Sequence, residues 1–206
     1  DAEFKALRQP LTLPEGEDTW QGIDKALERL AALIRGGGYK AQSFSSFIKS
    51  IQDIIIHSLL TERSRLSGTA MDLVTAMGEA LKGEGFGPYV EPLGGTVMRL
   101  CGRTNRVFSS RAQNTLLSLI QNTRLPSILP LLCEGLREKS KLMRLGVAEP
   151  LRLGMTLWSK EEVERDVMAL EDVLVNGVQD PAPEVRTKCR ATFTLYAAMF
   201  PERQER

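Results

Sequence analysis

The sequence has few of the residues on which catalytic and metal sites depend. Its one histidine, His57, falls within an apolar helical pattern, so we expect neither a Ser/His/Asp site nor a histidine-based metal site. The three cysteines, Cys101, Cys133 and Cys189, stand alone in apolar patterns, which predicts buried free thiols in a reducing compartment. We therefore expect no enzyme activity, no metal and no cofactor.

An excess of charge of one sign is missing as well. The 27 basic residues nearly balance the 26 acidic ones, leaving a net charge of +1, and the three tyrosines provide no ladder on which bases could stack. No apolar run approaches the roughly 18–20 residues that a membrane span needs, and no signal peptide is visible. We therefore expect a cytosolic or nuclear protein with no nucleic-acid partner and no membrane partner.

What is present is a repeat of a polar turn followed by an amphipathic helix. The first apolar residues after successive turns lie about 35 to 46 residues apart, a period typical of two-helix HEAT repeats. In such a solenoid the equivalent turns share one edge, which can act as a composite binding surface. The five turns are PEGEDTW (Pro14–Trp20), TERSRL (Thr61–Leu66), RTNRVF (Arg103–Phe108), EKSKLM (Glu138–Met143) and DPAPEV (Asp180–Val185).

Apolar residues recur at helical spacing on both sides of each turn, and strand signals are nearly absent. The stripes after the turns begin at Trp20, Leu66, Val107, Leu142 and Val185, and the last stripe includes Phe193. The helices before the turns are predicted at 2–11, 44–59, 89–101, 127–137 and 163–178, the last of them opened by a Ser159-x-x-Glu162 capping box. Trp158, just before that box, is interpreted as a packing residue.

These patterns predict an all-α fold, a HEAT-repeat (ARM-type) solenoid of about five antiparallel helix pairs. No linker is long enough to divide the chain, so residues 1–206 are expected to form a single domain. Because the chain opens inside a possible helix, we expect it to be a fragment of a longer protein.

The turns also carry the most distinctive side chains. Basic residues occur in or beside the last four turns, and two interpretations stay open: a cationic binding edge, or the solvated helix ends where such residues are common. Trp20 likewise fits either a core position or an exposed hot spot at a loop–helix junction. The basic residues are Arg63, Arg65, Arg103, Arg106, Lys139, Lys141, Arg144, Arg186 and Lys188.

The ordered set of motifs resembles the TOG domains of the CLASP family of microtubule-stabilising proteins. The Ser67-Gly68-Thr69 segment is most similar to fungal members of that family. The motifs are W-x-x-I-D-K-A-L-x-x-L at Trp20–Leu30, Arg63-Ser64, T-N-R-V at Thr104–Val107, K-S-K-L-M-R at Lys139–Arg144, and D-P-A-P-E-V-R at Asp180–Arg186 with F-P-E-R at Phe200–Arg203. The second loop departs from the family, with Thr61 where an Asp is usual and Ser67-Gly68-Thr69 before Ala70 in place of Arg-Glu.

The resemblance implies a monomeric domain that binds αβ-tubulin or the microtubule lattice through its turns, and regulates microtubule dynamics in the cytoplasm and spindle. Carried over to this sequence, the tubulin-binding residues would be Trp20, Arg63, Ser64, Asn105, Arg106, Lys139, Lys141 and Arg186. The alternative is a HEAT-repeat adaptor that binds a non-tubulin protein or peptide in its groove.

Overall fold

The computed structural model describes residues 2–203, and within this range the chain is helical with no β-strand. Its helices are α1 (Ala2–Arg8), α2 (Trp20–Arg35), α3 (Phe44–Leu60), α4 (Ser64–Phe86), α5 (Gly95–Leu100), α6 (Arg106–Thr123), α7 (Leu129–Arg137), α8 (Lys141–Leu157), α9 (Lys160–Glu164), α10 (Val167–Gly177) and α11 (Pro183–Met199).

The helices stack in two layers. Those that follow the five predicted turns, α2, α4, α6, α8 and α11, pack side by side in chain order. Those that precede the turns, α1, α3, α5, α7 and α10, form the second layer in the same order. The buried apolar residues make one cluster that runs from Phe4 to Phe200 between the layers. The predicted solenoid of about five helix pairs is confirmed.

Local chemistry explains where several helices begin and end. α6 and α8 start at side-chain caps: Val107 N donates to Asn105 Oδ1 at 3.0 Å, and Met143 N donates to Ser140 Oγ at 3.3 Å. The predicted capping box is present at α9, where Ser159 and Glu162 each accept the other's backbone N–H.

Three predicted helices are interrupted. The one expected at 2–11 ends at Arg8 and is followed by a 3-10 turn (Pro10–Thr12). The helix expected at 163–178 breaks at residues 165–166 into α9 and α10. The one expected at 89–101 becomes a 3-10 turn (Gly87–Tyr89), a π-helical segment (Val90–Gly94) and α5. Pro92 lies in the π-helical segment, and its missing N–H removes one bond of a regular α-helical ladder.

Three residues predicted in apolar stripes lie outside the core. The exposed fractions are 56% for Val107, 40% for Leu142 and 43% for Phe193. In α6 and α8 the buried stripe begins one residue later, at Phe108 and Met143. Phe193 lies on the outer side of the last pair, which no further helix covers within the described range.

The cysteines and Trp158 are buried, as predicted. Burial raises the pKa of the Cys101 and Cys133 thiols to about 12 and that of Cys189 to about 11. Little thiolate is therefore expected at neutral pH, which makes these buried thiols poor nucleophiles.

A close approach at Gly146 sets how α8 packs beside the end of α5. A Cβ atom at this position would lie 2.7 Å from Cys101 Cβ and 3.3 Å from the Cys101 carbonyl oxygen. We expect Gly146→Ala to lower the free energy of unfolding by about 1–3 kcal/mol, because overpacking outweighs the roughly 1 kcal/mol gained in helix propensity. Urea unfolding followed by circular dichroism measures this difference.

Gly22→Ala is the matched control. Gly22 is exposed on α2, and its added Cβ would meet nothing closer than Pro10 Cβ at 4.0 Å. This variant should be neutral or slightly more stable than the wild type. Equal stabilities of the two alanine variants would contradict the packing argument.

Candidate functional site: the loop edge

The turns within the five helix pairs lie along one edge of the solenoid, which we call the loop edge. Its members are the first loop (residues 13–19), the second (61–63), the third (101–105), the fourth (138–140) and the fifth (178–182), together with the first turn of the helix that follows each. Side-chain contacts join neighbouring loops along most of this edge.

The first and second loops are joined through Arg63. Its guanidinium is 2.6 Å from Glu17 and 3.3 Å from Glu15, and its Cζ lies 5.2 Å from the centre of the Trp20 ring. Thr61 Oγ1 also donates to Glu15 Oε1 at 2.7 Å. Trp20 is half-buried at the start of α2, so its ring is partly in the core and partly exposed at the loop–helix junction.

A buried carboxylate lies just behind these loops. Asp24 is 2% exposed and accepts from Arg65 Nε at 2.8 Å and from Thr69 Oγ1 at 2.6 Å. Thr69 belongs to the segment that differs from the usual family sequence, so a residue specific to this chain makes a hydrogen bond between α2 and α4.

The third loop is held to the second by Arg103. The guanidinium donates to Leu60 O at 2.6 Å and to Thr61 O at 3.4 Å, pairs with Glu62 at 3.1 Å, and covers the Phe108 ring at 4.8 Å. Arg103 thus binds other parts of this chain and is not available to a partner.

Asn105, the last residue of the third loop, and Arg106, the first residue of α6, differ in whether their side chains can reach a partner. The Asn105 side chain caps α6, whereas Arg106 is exposed at the first position of that helix. Across residues 2–203, no ion pair or hydrogen bond involves the guanidinium of Arg106. Its charge is therefore free to act on a partner.

The fourth and fifth loops are joined by a buried ion pair. Arg144 donates to both oxygens of Asp180, at 2.6 and 3.1 Å, and also to the carbonyls of Glu138 and Lys139. The Arg144 guanidinium holds the pKa of the Asp180 carboxyl below its usual value, although burial opposes this. Arg186 donates to the carbonyls of Asp180 and Pro181, so its guanidinium is held within the fifth loop.

The lysines of the fourth loop are less constrained. Lys141 lies 3.3 Å from Glu184 in an exposed pair, which contributes little in water. Lys139 is exposed, and its ammonium has no ion-pair partner among the described residues. Ser64 is exposed at the start of α4.

All eight predicted site residues therefore lie on the loop edge, and Trp20 and Arg63 are in direct contact. The cationic stripe is weaker than the sequence indicates, because Glu15, Glu17, Glu62, Asp180 and Glu184 neutralise much of it. The exposure of Val107 and Leu142 on the same edge was not predicted. The available signal was that Phe108 and Met143 also begin apolar stripes at helical spacing, at 108, 112, 116 and at 143, 147, 151.

Metal-ligand clusters and membrane-spanning helices are both absent from the described part of the chain. Residues 2–203 contain no group of three or more His, Cys, Asp or Glu side chains placed to hold a metal ion. No helix in that range is both long and apolar enough to span a membrane. His57 is exposed on α3, with Nδ1 2.8 Å from Asp53 O.

Comparisons with known proteins agree with this architecture. The family model described as CLASP N terminal matches residues 1–206. Protein stu-1 of Neurospora crassa is 29% identical over 92% of this chain, and the CLIP-associated protein of Arabidopsis thaliana is 24% identical over 99%. The matched regions are 17% and 14% of those proteins, so this chain spans less than a fifth of their length.

Solved structures show the same fold at low sequence identity. A chain of Crescerin, which is reported to use a TOG domain array to regulate microtubules in the primary cilium, superposes with a TM-score of 0.68 at 16% identity, covering 97% of this chain and 78% of that one. The N-terminal domain of MAST/Orbit gives a TM-score of 0.67 at 14% identity, covering 97% and 83%.

Proposed function

This chain belongs to the CLASP N-terminal family, and from that premise we propose that it is a TOG domain that binds αβ-tubulin or the microtubule lattice and so regulates microtubule dynamics. The observation that carries the proposal is the loop edge, where Arg106 and Lys139 are exposed and have no ion-pair partner among residues 2–203. The arginines of the neighbouring loops are instead bound to other parts of the chain.

The geometry suits recognition of a large, acidic protein surface such as that of tubulin. Ion pairs and carbonyl contacts order the first three loops and, separately, the last two, so little loop entropy is lost on binding. The free cations raise the rate of encounter with an acidic partner. The domain acts by binding and orienting its partner, without a chemical step.

The proposal extends to the setting of the domain. Residues 1–206 form one such domain within a longer protein, and the isolated domain is a monomer. The matching regions of the relatives are similarly small parts of long chains. We place the whole protein on cytoplasmic microtubules and the mitotic spindle.

The direct test is to mix this chain with αβ-tubulin and, separately, with taxol-stabilised microtubules. We expect co-elution with tubulin on size exclusion or co-sedimentation with microtubules. Trp20→Ala should weaken that binding about tenfold or more, since it removes the ring that supports Arg63 and an aromatic of hot-spot type.

Trp20→Phe is the matched control, because it keeps a ring against Arg63. It should retain most of the affinity, and thermal unfolding shows whether either variant has lost its fold. If the wild-type chain binds neither tubulin nor microtubules, the proposed function is wrong. If Trp20→Ala binds as well as the wild type, Trp20 has no role in recognition.

A further inference from the structure

The exposed large hydrophobic residues fall mainly into two groups. Within residues 2–203, Leu13, Val107 and Leu142 lie on the loop edge, Leu60 directly precedes the second loop, and Met168, Val175 and Phe193 lie on the last helix pair. Isolated exposed apolar residues are ordinary on protein surfaces. Val107 and Leu142 differ because they repeat at one structural position: each is the second residue of its helix, α6 and α8.

These two helices are neighbours, and their starts lie on the same edge. α6 packs beside α8, and a Cβ on Gly102 of the third loop would be 3.1 Å from Met143 Cε in the first turn of α8. The third loop and the start of α8 are therefore in contact. Val107 and Leu142 lie on the two sides of this junction.

The same junction holds the free charge of the edge. Arg106 precedes Val107 directly, and Lys139 lies three residues before Leu142. Lys141, directly before Leu142, forms only an exposed pair with Glu184. The outer loops differ, because Glu15 and Glu17 neutralise Arg63, and the carbonyls of the fifth loop hold Arg186. An apolar pair bordered by available cations is thus confined to the middle of the edge.

We propose that Val107 and Leu142 are the apolar anchors of the interface, and that they contact an apolar depression bordered by carboxylates on the partner. The inference rests on the proposed function and deepens it, since the partner surface is that of tubulin. Burial of the two side chains supplies affinity, whereas the adjacent cations match the carboxylates and orient the complex. The centre of recognition is then the third and fourth loops, with Trp20 and Arg63 at its margin.

The test compares Val107→Ser/Leu142→Ser with Met168→Ser/Val175→Ser. The control residues are apolar and more exposed but lie on the last pair: Met168 and Val175 are 67% and 62% exposed, against 40% for Leu142 and 56% for Val107. Binding to αβ-tubulin is measured by titration at low and at high salt. We expect the loop-edge variant to lose about tenfold or more in affinity at both salt concentrations and the control to stay within about twofold.

The outcomes separate this inference from the proposed function. If the wild type binds tubulin and the two double variants bind it with equal affinity, Val107 and Leu142 are not anchors, although tubulin binding itself is supported. Absence of wild-type binding overturns both. Because all four residues are exposed, circular dichroism should be unchanged, and the isosteric Val107→Thr provides a second variant that tests polarity with no change of shape.

Discussion

Asp180→Ala is expected to lower the free energy of unfolding by about 3–5 kcal/mol. The Asp180 and Arg144 side chains are only 7% and 13% exposed and form a two-pronged ion pair, so the substitution leaves a buried guanidinium without its counter-ion. Asp180 Oδ1 also accepts the N–H of Ala182, which loses its partner. Urea unfolding followed by circular dichroism measures the loss.

Asp172→Ala is the control for this prediction. Asp172 also pairs with an arginine, Arg137 at 3.0 Å, but the two side chains are 55% and 44% exposed. An exposed pair contributes about 1 kcal/mol or less, so this variant should remain near wild-type stability. The double substitution Arg144→Met/Asp180→Ala should cost less than the sum of its single changes, because no charge is left buried alone. Additive costs would show that the ion pair is not the cause.

The same ion pair predicts an acid transition. The pKa of Asp180 in the folded chain is lowered, so its stabilisation is full above the unfolded value near 3.9 and is lost as pH falls through the folded pKa. Glu149, held by Arg152 and Lys188, has its pKa lowered to about 2 and acts in the same direction. The free energy of unfolding should therefore fall between about pH 4.5 and pH 2, and less steeply in Asp180→Ala.

Arg106→Glu/Lys139→Glu is expected to reduce the association rate constant with αβ-tubulin by about 100-fold at low salt. Both side chains are exposed cations without an intramolecular ion-pair partner among residues 2–203, so reversing them changes the field at the interface and breaks no ion pair of that part of the fold. The difference from wild type should shrink with added salt, since the Debye length falls from about 10 Å at 0.1 M to about 3 Å at 1 M. Stopped-flow mixing with labelled tubulin measures the rate.

Arg124→Glu/Arg165→Glu makes the same change in net charge away from the loop edge. Arg124 is at the opposite end of α6 from Arg106, and both control residues are exposed. This variant should lose only the small part of the rate that depends on total charge. Equal losses in the two variants would mean that overall charge governs encounter and that the loop edge has no special role.

Much of the fold could be predicted from residues close together in the chain. Helical spacing of apolar residues and the Ser159–Glu162 capping box depend on neighbours within about one or two turns, and both are present in the structure. The break between α9 and α10 was missed, because an unbroken stripe of apolar residues carries no sign of it. The stripe starts at α6 and α8 were wrong by one residue, since the choice between Val107 and Phe108 depends on the packing of the neighbouring helix.

The candidate site, like the fold, could be predicted only in part from the sequence. By itself the sequence determined which residues occupy the turns and that the turns share an edge, because a repeat of fixed period brings equivalent positions together. Only the tertiary structure decided which cations remain free. Arg63 meets Glu17 across 46 residues and Arg144 meets Asp180 across 36, so these charges cancel only once the pairs have stacked. Charge neutralisation and exposure depend on distances in space, and no local pattern encodes them.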